Sequence, residues 1–343
     1  MTAYDLLRQE LAAEPRTWLI TGVAGFIGSH LLETLLGLDQ RVGGLDNLST
    51  GTPRNLNEVR ERVTSEQWMR FTFQEGSVAD MTACRVASDR VDYILHQAGF
   101  VSVPLSIEDP LGCHATNVTG TLNLLIAARD NRVRRIVYAS SSAVYGDDPR
   151  MPKVETQIGR PLSPYGASKR MAEIYAQVFL ENHGLESVGL RYFNIFGPRQ
   201  NPTGGYAAVI PQWIATLLGG GECVINGDGG ITRDFCPVAD VVQANLLAAT
   251  TRNREAVGGV FNVAVGGSTT LDRLHALISE RVAACGGNPQ PIRYGPPRAG
   301  DIQHSSADIG AIRRALDFVP GADIGAGLDE TVRWYAAAAG KRT

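Results

Sequence analysis

The sequence predicts an α/β protein: a doubly wound parallel sheet carrying a smaller C-terminal α/β lobe. Three observations predict it. Short apolar runs alternate with helical patterns through the first half of the chain, the signature of βαβ units. A glycine-rich turn joins the first of those runs to the first long helix. After Asn194 the pattern changes to shorter elements punctuated by glycines at 219–221, 227–230 and 266–267.

Taken in order, residues 1–16 mix Asp5, Arg8, Glu10 and Glu14 with Leu6, Leu7 and Leu11, and read as an amphipathic helix packed outside the main fold. Thr17–Thr21 (TWLIT) reads as the first strand, followed by a helix over about 25–38. Further strands are expected at 41–45, 71–74, Tyr93–His96, 135–139 (RIVYA) and Glu186–Tyr192. Residues 115–129 and 168–180 read as helices with apolar faces. Residues 197–205, rich in Pro, Gly and Asn, read as a loop. The strand-like 260–264 returns to the first domain, so the division is not a single cut. Residues 17–194 with a returning segment of about 236–264 make the first domain, and 195–235 with 265–343 make the lobe.

The composition narrows the function classes. The chain has 343 residues and a net charge of -3, so no basic excess exists to hold a phosphate backbone, and a nucleic-acid partner is not expected. No run of about 18 apolar residues occurs, so no membrane span is expected. Residues 1–15 lack the apolar core of a signal peptide. Five scattered cysteines, Cys84, Cys113, Cys223, Cys236 and Cys285, never form a CxxC pair. That points to a reducing cytoplasm and away from a zinc site or disulfide frame.

The glycine turn carries the first functional signal. In Thr21-Gly22-Val23-Ala24-Gly25-Phe26-Ile27-Gly28, Gly22 permits a tight turn, Gly25 lets backbone approach a pyrophosphate, and Gly28 lets the helix pack on its strand. The helix N-terminus adds free N–H groups and a dipole that favours an anion. A carboxylate follows where a ribose 2′-OH would bind: Asp46, with Asn47, ends the next strand. Its charge would repel a 2′-phosphate, which favours NAD over NADP.

The second signal is Ser163-Pro164-Tyr165-Gly166-Ala167-Ser168-Lys169. Ser163 suits a helix N-cap and Pro164 the first helical position. Tyr165 and Lys169 then share one helix face, where a cation near the phenol lowers its pKa and makes it a base near neutral pH. Ordinary helix surfaces also show this spacing; the glycine fingerprint upstream is what decides. Hydroxyls at Ser140, Ser141 and Ser142 follow a strand and can reach a substrate oxygen.

TGVAGFIGSH, SSSAVYG, SPYGASK and RYFNIFGPRQ together resemble the extended short-chain dehydrogenase/reductase family, with a Rossmann-like domain and, within the family, a likeness to bacterial UDP-N-acetylglucosamine 4-epimerases. The likeness runs from about residue 18 to 335. It implies that NAD is held by Gly22, Gly25, Phe26, Ile27, Asp46, Asn47, Ser77, Val78, Gln97, Ala98, Tyr165, Lys169 and Tyr192. Tyr165 would be the base for the sugar 4-OH. Lys169 would bind the nicotinamide ribose and lower the Tyr165 pKa, and Ser141 would hydrogen-bond the 4-oxygen. Ser102, Ser141, Ser142, Asn194, Ala208, Val209, Asn226, Arg233, Arg298, Asp301 and Ser305 would contact the UDP-sugar, with Arg233 and Arg298 on the diphosphate. The likeness also implies a homodimer formed through the helices over 115–129 and 168–180, whose apolar faces core packing would explain equally well.

Two departures stand out. Gly76-Ser77-Val78 replaces the family's Gly-Asp-Ile, so the acid that usually reads adenine is missing. Val101 is bulkier than the expected residue and would narrow the sugar pocket.

The same scaffold hosts dehydratases and decarboxylases, which the resemblance says need a further acid after the serine; Ser142-Ala143 stands there instead. C4 epimerisation is then the expected reaction. Ser305, small where a Tyr would exclude an N-acetyl group, implies UDP-GlcNAc and UDP-GalNAc. UDP-Glc, UDP-Gal or UDP-glucuronate, and a lyase or a non-catalytic NAD-binding scaffold, are the alternatives. No metal is expected.

Overall fold

The computed structural model describes residues 1–203, 207–296, 303–321 and 324–340. Seven parallel strands form the central sheet, in the spatial order Val260–Val263, Glu186–Tyr192, Arg135–Ser141, Tyr93–His96, Thr17–Thr21, Arg41–Asp46 and Phe71–Glu75. Every pairing between them is parallel. This is a Rossmann-like doubly wound sheet. Its strand order reverses between Thr17–Thr21 and Tyr93–His96, where the crevice outside the carboxyl ends receives ligands.

The local sequence explains the elements. Trp18, Leu19 and Ile20 are all fully buried, because a parallel sheet is covered on both faces. The helix Phe26–Gly37 buries Leu31, Leu32, Leu35 and Leu36 against it. The long helix Pro164–His183 starts on Ser163, whose Oγ accepts the Gly166 N–H at 3.1 Å, and ends on Gly184 in the left-handed region at φ 67°. The 120-region helix is not uniform: Ala115–Thr119 form a π-helical turn ahead of the α-helix Gly120–Asp130.

The N-terminal helix is Ala3–Ala13, capped by Thr2. It does not lie outside the fold as expected. Leu7 and Leu11 belong to the main core, and the Gln40 side chain donates to Leu11 O and Leu38 O while accepting from Arg16 N and Trp18 Nε1. A buried amide with all its groups satisfied thus fixes the extension to the first strand.

In the C-terminal half, Phe235–Pro237 pairs with Asn194–Phe196, and Thr232–Arg233 lies between Thr269–Thr270 and His304–Ser305. A separate apolar cluster, including Trp213, Ile214, Leu274, Ile278 and Leu328, forms its core. Among the described residues, no helix is long and apolar enough to cross a membrane.

Candidate active site

The carboxyl ends of the strands open on a cavity of about 1660 Å³. Gly22, Gly25, Phe26 and Ile27 form one wall. Gly22 has φ +70°, and a Cβ there would lie 2.7 Å from Ala98 N; a Cβ on Gly28 would lie 2.1 Å from Gly22 O. Glycine is therefore forced at both positions by the protein itself. Gly25 is the N-cap of the helix and supplies no side-chain cap, so the N–H groups of the first turn stay available to an anion.

Asp46 braces this loop. Its Oδ2 accepts from Ala24 N at 2.9 Å and its Oδ1 from Leu48 N at 2.8 Å. Each oxygen keeps a lone pair for a ribose hydroxyl. Asn47, Ser77, Val78, Gln97 and Ala98 also line the cavity. The Ser77 hydroxyl accepts from Ala79 N at 3.2 Å, so the position that lacks the expected acid is a local turn cap.

Tyr165, Lys169, Ser141 and Ser142 converge on the same cavity. The Tyr165 side chain and the Ser141 hydroxyl face each other across this cavity wall. Ser141 Oγ also accepts from Ala143 N at 3.1 Å, which caps the 3-10 turn Ser142–Tyr145. Lys169 Nζ donates to Ala139 O at 2.8 Å and sits 5.9 Å from the Tyr165 ring centroid. Burial pulls the Lys169 ammonium down to about 8.

One expectation about this pair needs correction. The Tyr165 phenol is held above the ordinary tyrosine value, because burial outweighs the lowering effect of Ser141. Lys169 Nζ donates to the Ala139 carbonyl, and the net direction for the phenol is upward, opposite to the expectation.

Behind these groups stands a polar support that is fully paired. Glu173, one turn after Lys169, accepts from Ser140 Oγ at 2.6 Å, Arg191 Nε at 2.8 Å, Arg191 Nη2 at 2.9 Å and Arg170 Nη1 at 2.8 Å. Tyr192, Gln97 and Asn245 close a ring of hydrogen bonds of 2.8–3.0 Å. His96 bridges Thr21 Oγ1 at 2.7 Å and Thr121 Oγ1 at 3.0 Å. Thr121 donates to Asn117 O, so it must accept from His96 Nε2, and Nδ1 accepts from Thr21. Burial keeps that imidazole neutral, down at about 3.

The substrate-side expectations divide. Ser102, Ala208 and Ser305 line the cavity, as does Val101 at its exposed rim. Asn194, Val209, Asn226 and Arg233 are not on its wall. Asn194 Nδ2 donates to Asp234 O at 3.2 Å, Val209 begins a helix that packs on the lobe core, and Arg233 Nη1 donates to Thr232 O at 2.8 Å. Asn226 ends the short strand paired with Arg293–Gly295. Arg298 and Asp301 lie outside the described residues, as do residues 204–206.

Asn117 went unnoticed in the sequence. It sits in the π-helical turn, accepts from Phe100 N at 2.7 Å, and donates to Phe100 O at 3.0 Å and Ser168 Oγ at 2.9 Å. One side chain thereby ties the Gln97–Phe100 loop to the helix of Tyr165. A buried Asn inside a helical pattern was the only signal, and periodicity does not show a π-turn. Gln200 was also missed: it lines the cavity, and its buried Oε1 has no hydrogen-bond partner among the described residues.

A dinucleotide cradle and a Ser-Tyr-Lys set sharing one cavity define an α/β enzyme of the dehydrogenase/reductase type, with proton-transfer groups beside the cofactor wall. The chain belongs to the NAD dependent epimerase/dehydratase family, whose model matches residues 18–264. NAD is its cofactor, and the cradle, the uncapped helix N-terminus and Asp46 fit it. The chain is 36% identical over 320 residues to the UDP-glucose 4-epimerase of Mycolicibacterium smegmatis, covering 92% of this chain and 97% of that one. It is 35% identical over 322 residues to a dTDP-glucose 4,6-dehydratase of Streptomyces griseus, covering 92% and 93%. Among solved structures, it is 37% identical to the UDP-N-acetylglucosamine 4-epimerase from Methanobrevibacter ruminantium M1 in complex with UDP-N-acetylmuramic acid, with a TM-score of 0.86 and coverage of 94% and 99%.

Proposed function

We propose that the protein interconverts C4 epimers of a UDP-hexose, with UDP-GlcNAc and UDP-GalNAc as the preferred pair. The observation that carries the reaction class is the convergence of Ser141, Tyr165 and Lys169 on the cavity walled by a cradle that fits NAD. When bound in the cradle of Gly22, Gly25 and Asp46, NAD would supply a reversible hydride acceptor for sugar C4. Tyr165 accepts the proton of the 4-OH as its C–H bond breaks and gives it back when the carbonyl is reduced. Ser141 orients the 4-oxygen. Lys169, a cation at neutral pH, lies on the ribose side and keeps the phenolate form accessible once the site is filled. A 4-keto sugar that turned over before its reduction would emerge as the C4 epimer, with no net redox change.

A dehydratase is disfavoured by the carboxylates. Among the described residues, those lining the cavity are Asp46, Asp147 and Asp148. Asp46 braces the glycine loop, Asp147 holds Arg160 N and Nε, and Asp148 pairs with Arg150. Each is thus engaged by the protein, Asp148 hydrogen-bonded through one oxygen, and Ser142-Ala143 follows the serine. For the sugar, Ser305 supports the N-acetylated pair by leaving room for the 2-substituent. The opposing point, Val101, is 68% exposed at the rim, where it narrows the entrance more than the interior.

Incubation with UDP-GlcNAc and with UDP-Glc, followed by proton NMR of the anomeric and H4 signals, tests both levels. UDP-GalNAc appearing faster than UDP-Gal is the expected result. Faster conversion of UDP-Glc would overturn the sugar preference alone, and loss of water from the product would overturn the epimerase reading.

We further propose a homodimer. Met171, Ile174, Tyr175 and Val178 stand exposed at i, i+3, i+4 and i+7 on the helix Pro164–His183, a stripe suited to a second copy of this chain. Sedimentation equilibrium showing a monomer at micromolar concentration would refute it.

A further inference from the structure

Asp234 lies between the lobe strands Thr232–Arg233 and Phe235–Pro237, fully buried, with every polar group engaged by a different segment. Its N–H donates to Ser305 O at 2.9 Å. Its carbonyl accepts from Asn194 N at 3.3 Å and Asn194 Nδ2 at 3.2 Å. Its carboxylate accepts from Val265 N at 3.1 Å and Gly266 N at 3.0 Å. Gly266 has φ +76°, which turns consecutive N–H groups inward. The result is a backbone nest of the kind that binds anions, occupied here by a side chain of the protein itself.

The segments so joined are informative. Asn194 is two residues beyond the strand Glu186–Tyr192, and Val265 is two residues beyond Val260–Val263, so both are exits from the central sheet. Ser305 belongs to the lobe strand that walls the cavity. Asp234 is thus the point where two sheet exits and the lobe wall are held in one register.

We propose that Asp234 is a positioning residue for substrate: it fixes the lobe frame that carries Asn194, Arg233 and Ser305 against the sheet that carries the cofactor wall. This rests on the reading that a nucleotide-sugar occupies the lobe side of the cavity. Asp234 touches neither cofactor nor substrate. Its loss therefore alters how the lobe is presented, and leaves the glycine cradle and the Ser141–Tyr165 pair in place.

The test compares UDP binding by titration calorimetry in NAD-loaded wild type, Asp234→Asn and Asp240→Asn. Asp240 is a second buried carboxylate, which accepts from Gly321 N at 2.8 Å away from the cavity wall, and it controls for a merely structural loss. Turning one acceptor of the nest into an NH₂ leaves buried N–H donors unmatched, so Asp234→Asn is expected to weaken UDP binding about tenfold. The KM for the sugar nucleotide should rise in parallel, with kcat and bound NAD close to wild type. Asp240→Asn should lower Tm without changing UDP affinity. If Asp234→Asn does not fold, Gly266→Ala strains the nest from its other side and should give the same KM-against-kcat pattern. An Asp234→Asn protein that loses Tm but binds UDP like wild type would overturn the proposal alone. A wild type that binds no UDP would overturn the nucleotide-sugar reading, and this proposal with it.

Discussion

Two alanine substitutions in the glycine turn should fail in opposite ways. A Cβ on Gly28 would sit 2.1 Å from Gly22 O, 2.8 Å from Gly22 C and 2.9 Å from Val23 Cα. All three are backbone atoms, so nothing can swing aside, and the helix Phe26–Gly37 must lift from its strand by about 1 Å. Overpacking of this kind costs about 1–3 kcal/mol, which for a chain of this size lowers Tm by about 1–4 °C whether or not NAD is present. A Cβ on Gly25 meets only Gly22 O, at 3.1 Å, and otherwise projects into open cavity. Its φ of -77° suits alanine, so the NAD-free Gly25→Ala protein should lose less than about 1 kcal/mol. The space that Cβ fills is where backbone meets pyrophosphate. Saturating NAD, at about 100 times its Kd, should stabilise wild type by about 2.7 kcal/mol, and Gly25→Ala should lose most of that gain. Scanning calorimetry with and without NAD, together with NAD released on denaturation per protomer, reads both effects. A Gly25→Ala protein that retains NAD like wild type would refute the assignment of this turn as the pyrophosphate cradle.

Three further outcomes are expected. Tyr165→Phe should reduce kcat about 10²–10⁴-fold with bound NAD unchanged, because only the proton-transfer group is removed; residual activity above a tenth of wild type would point to another base. Lys169→Met should abolish turnover yet raise the Tm of the NAD-free protein at pH 7. Burial lowers the folded-state value from 10.5 to about 8, so between those pH values the folded protein binds fewer protons than the unfolded chain and stability from this group rises with pH. Below pH 8 the buried cation costs up to about 3 kcal/mol, so the variant's advantage should shrink as pH rises through that window; a Tm below wild type at pH 7 would sink this account. Ser305→Tyr should shift the kcat/KM ratio toward UDP-Glc by about tenfold or more, measured with the two substrates in competition, and an unchanged ratio would remove Ser305 from the specificity argument.

The sequence displayed the sheet well because its signals are local. TWLIT and RIVYA are short apolar runs that a two-sided sheet must bury, and the turn after TWLIT admits only glycine at Gly22 and Gly28 for steric reasons visible in the motif. The wall residues from the glycine turn, the serine run and the Tyr165 helix share one cavity, since each follows a strand whose carboxyl end faces it. What did not show was anything depending on tertiary register. The N-terminal helix looked peripheral because its amphipathic pattern does not say what Leu7 and Leu11 cover. Asn117 was invisible because a π-turn rotates a side chain away from where helical spacing puts it. The substrate side suffered most: Asn194 and Arg233 matched motifs, but the lobe that presents them is built from two- and three-residue strands whose pairings no periodicity encodes.

The distribution of satisfied and unsatisfied groups indicates where ligand binding does its work. Behind the cavity, Glu173 meets four donors and the Gln97–Tyr192–Asn245 ring is closed, so that layer is complete without any ligand. On the cavity side the balance is reversed. Among the described residues, Lys169 is buried with the Ala139 carbonyl as its hydrogen-bond partner, burial raises the Tyr165 phenol, the first turn after Gly25 has no side-chain cap, and Gln200 Oε1 has no partner. Each of these is a point where an anion, a hydroxyl or a donor of a bound ligand would gain a partner. Other buried polar atoms without partners among the described residues, Asp240 Oδ2 and His275 Nε2, lie away from this cavity, but the groups named above face it together, backed by a paired layer. That asymmetry is what a preorganised site requires, because groups left unmet before binding can contribute their full interaction to the ligand only if the layer behind them does not move.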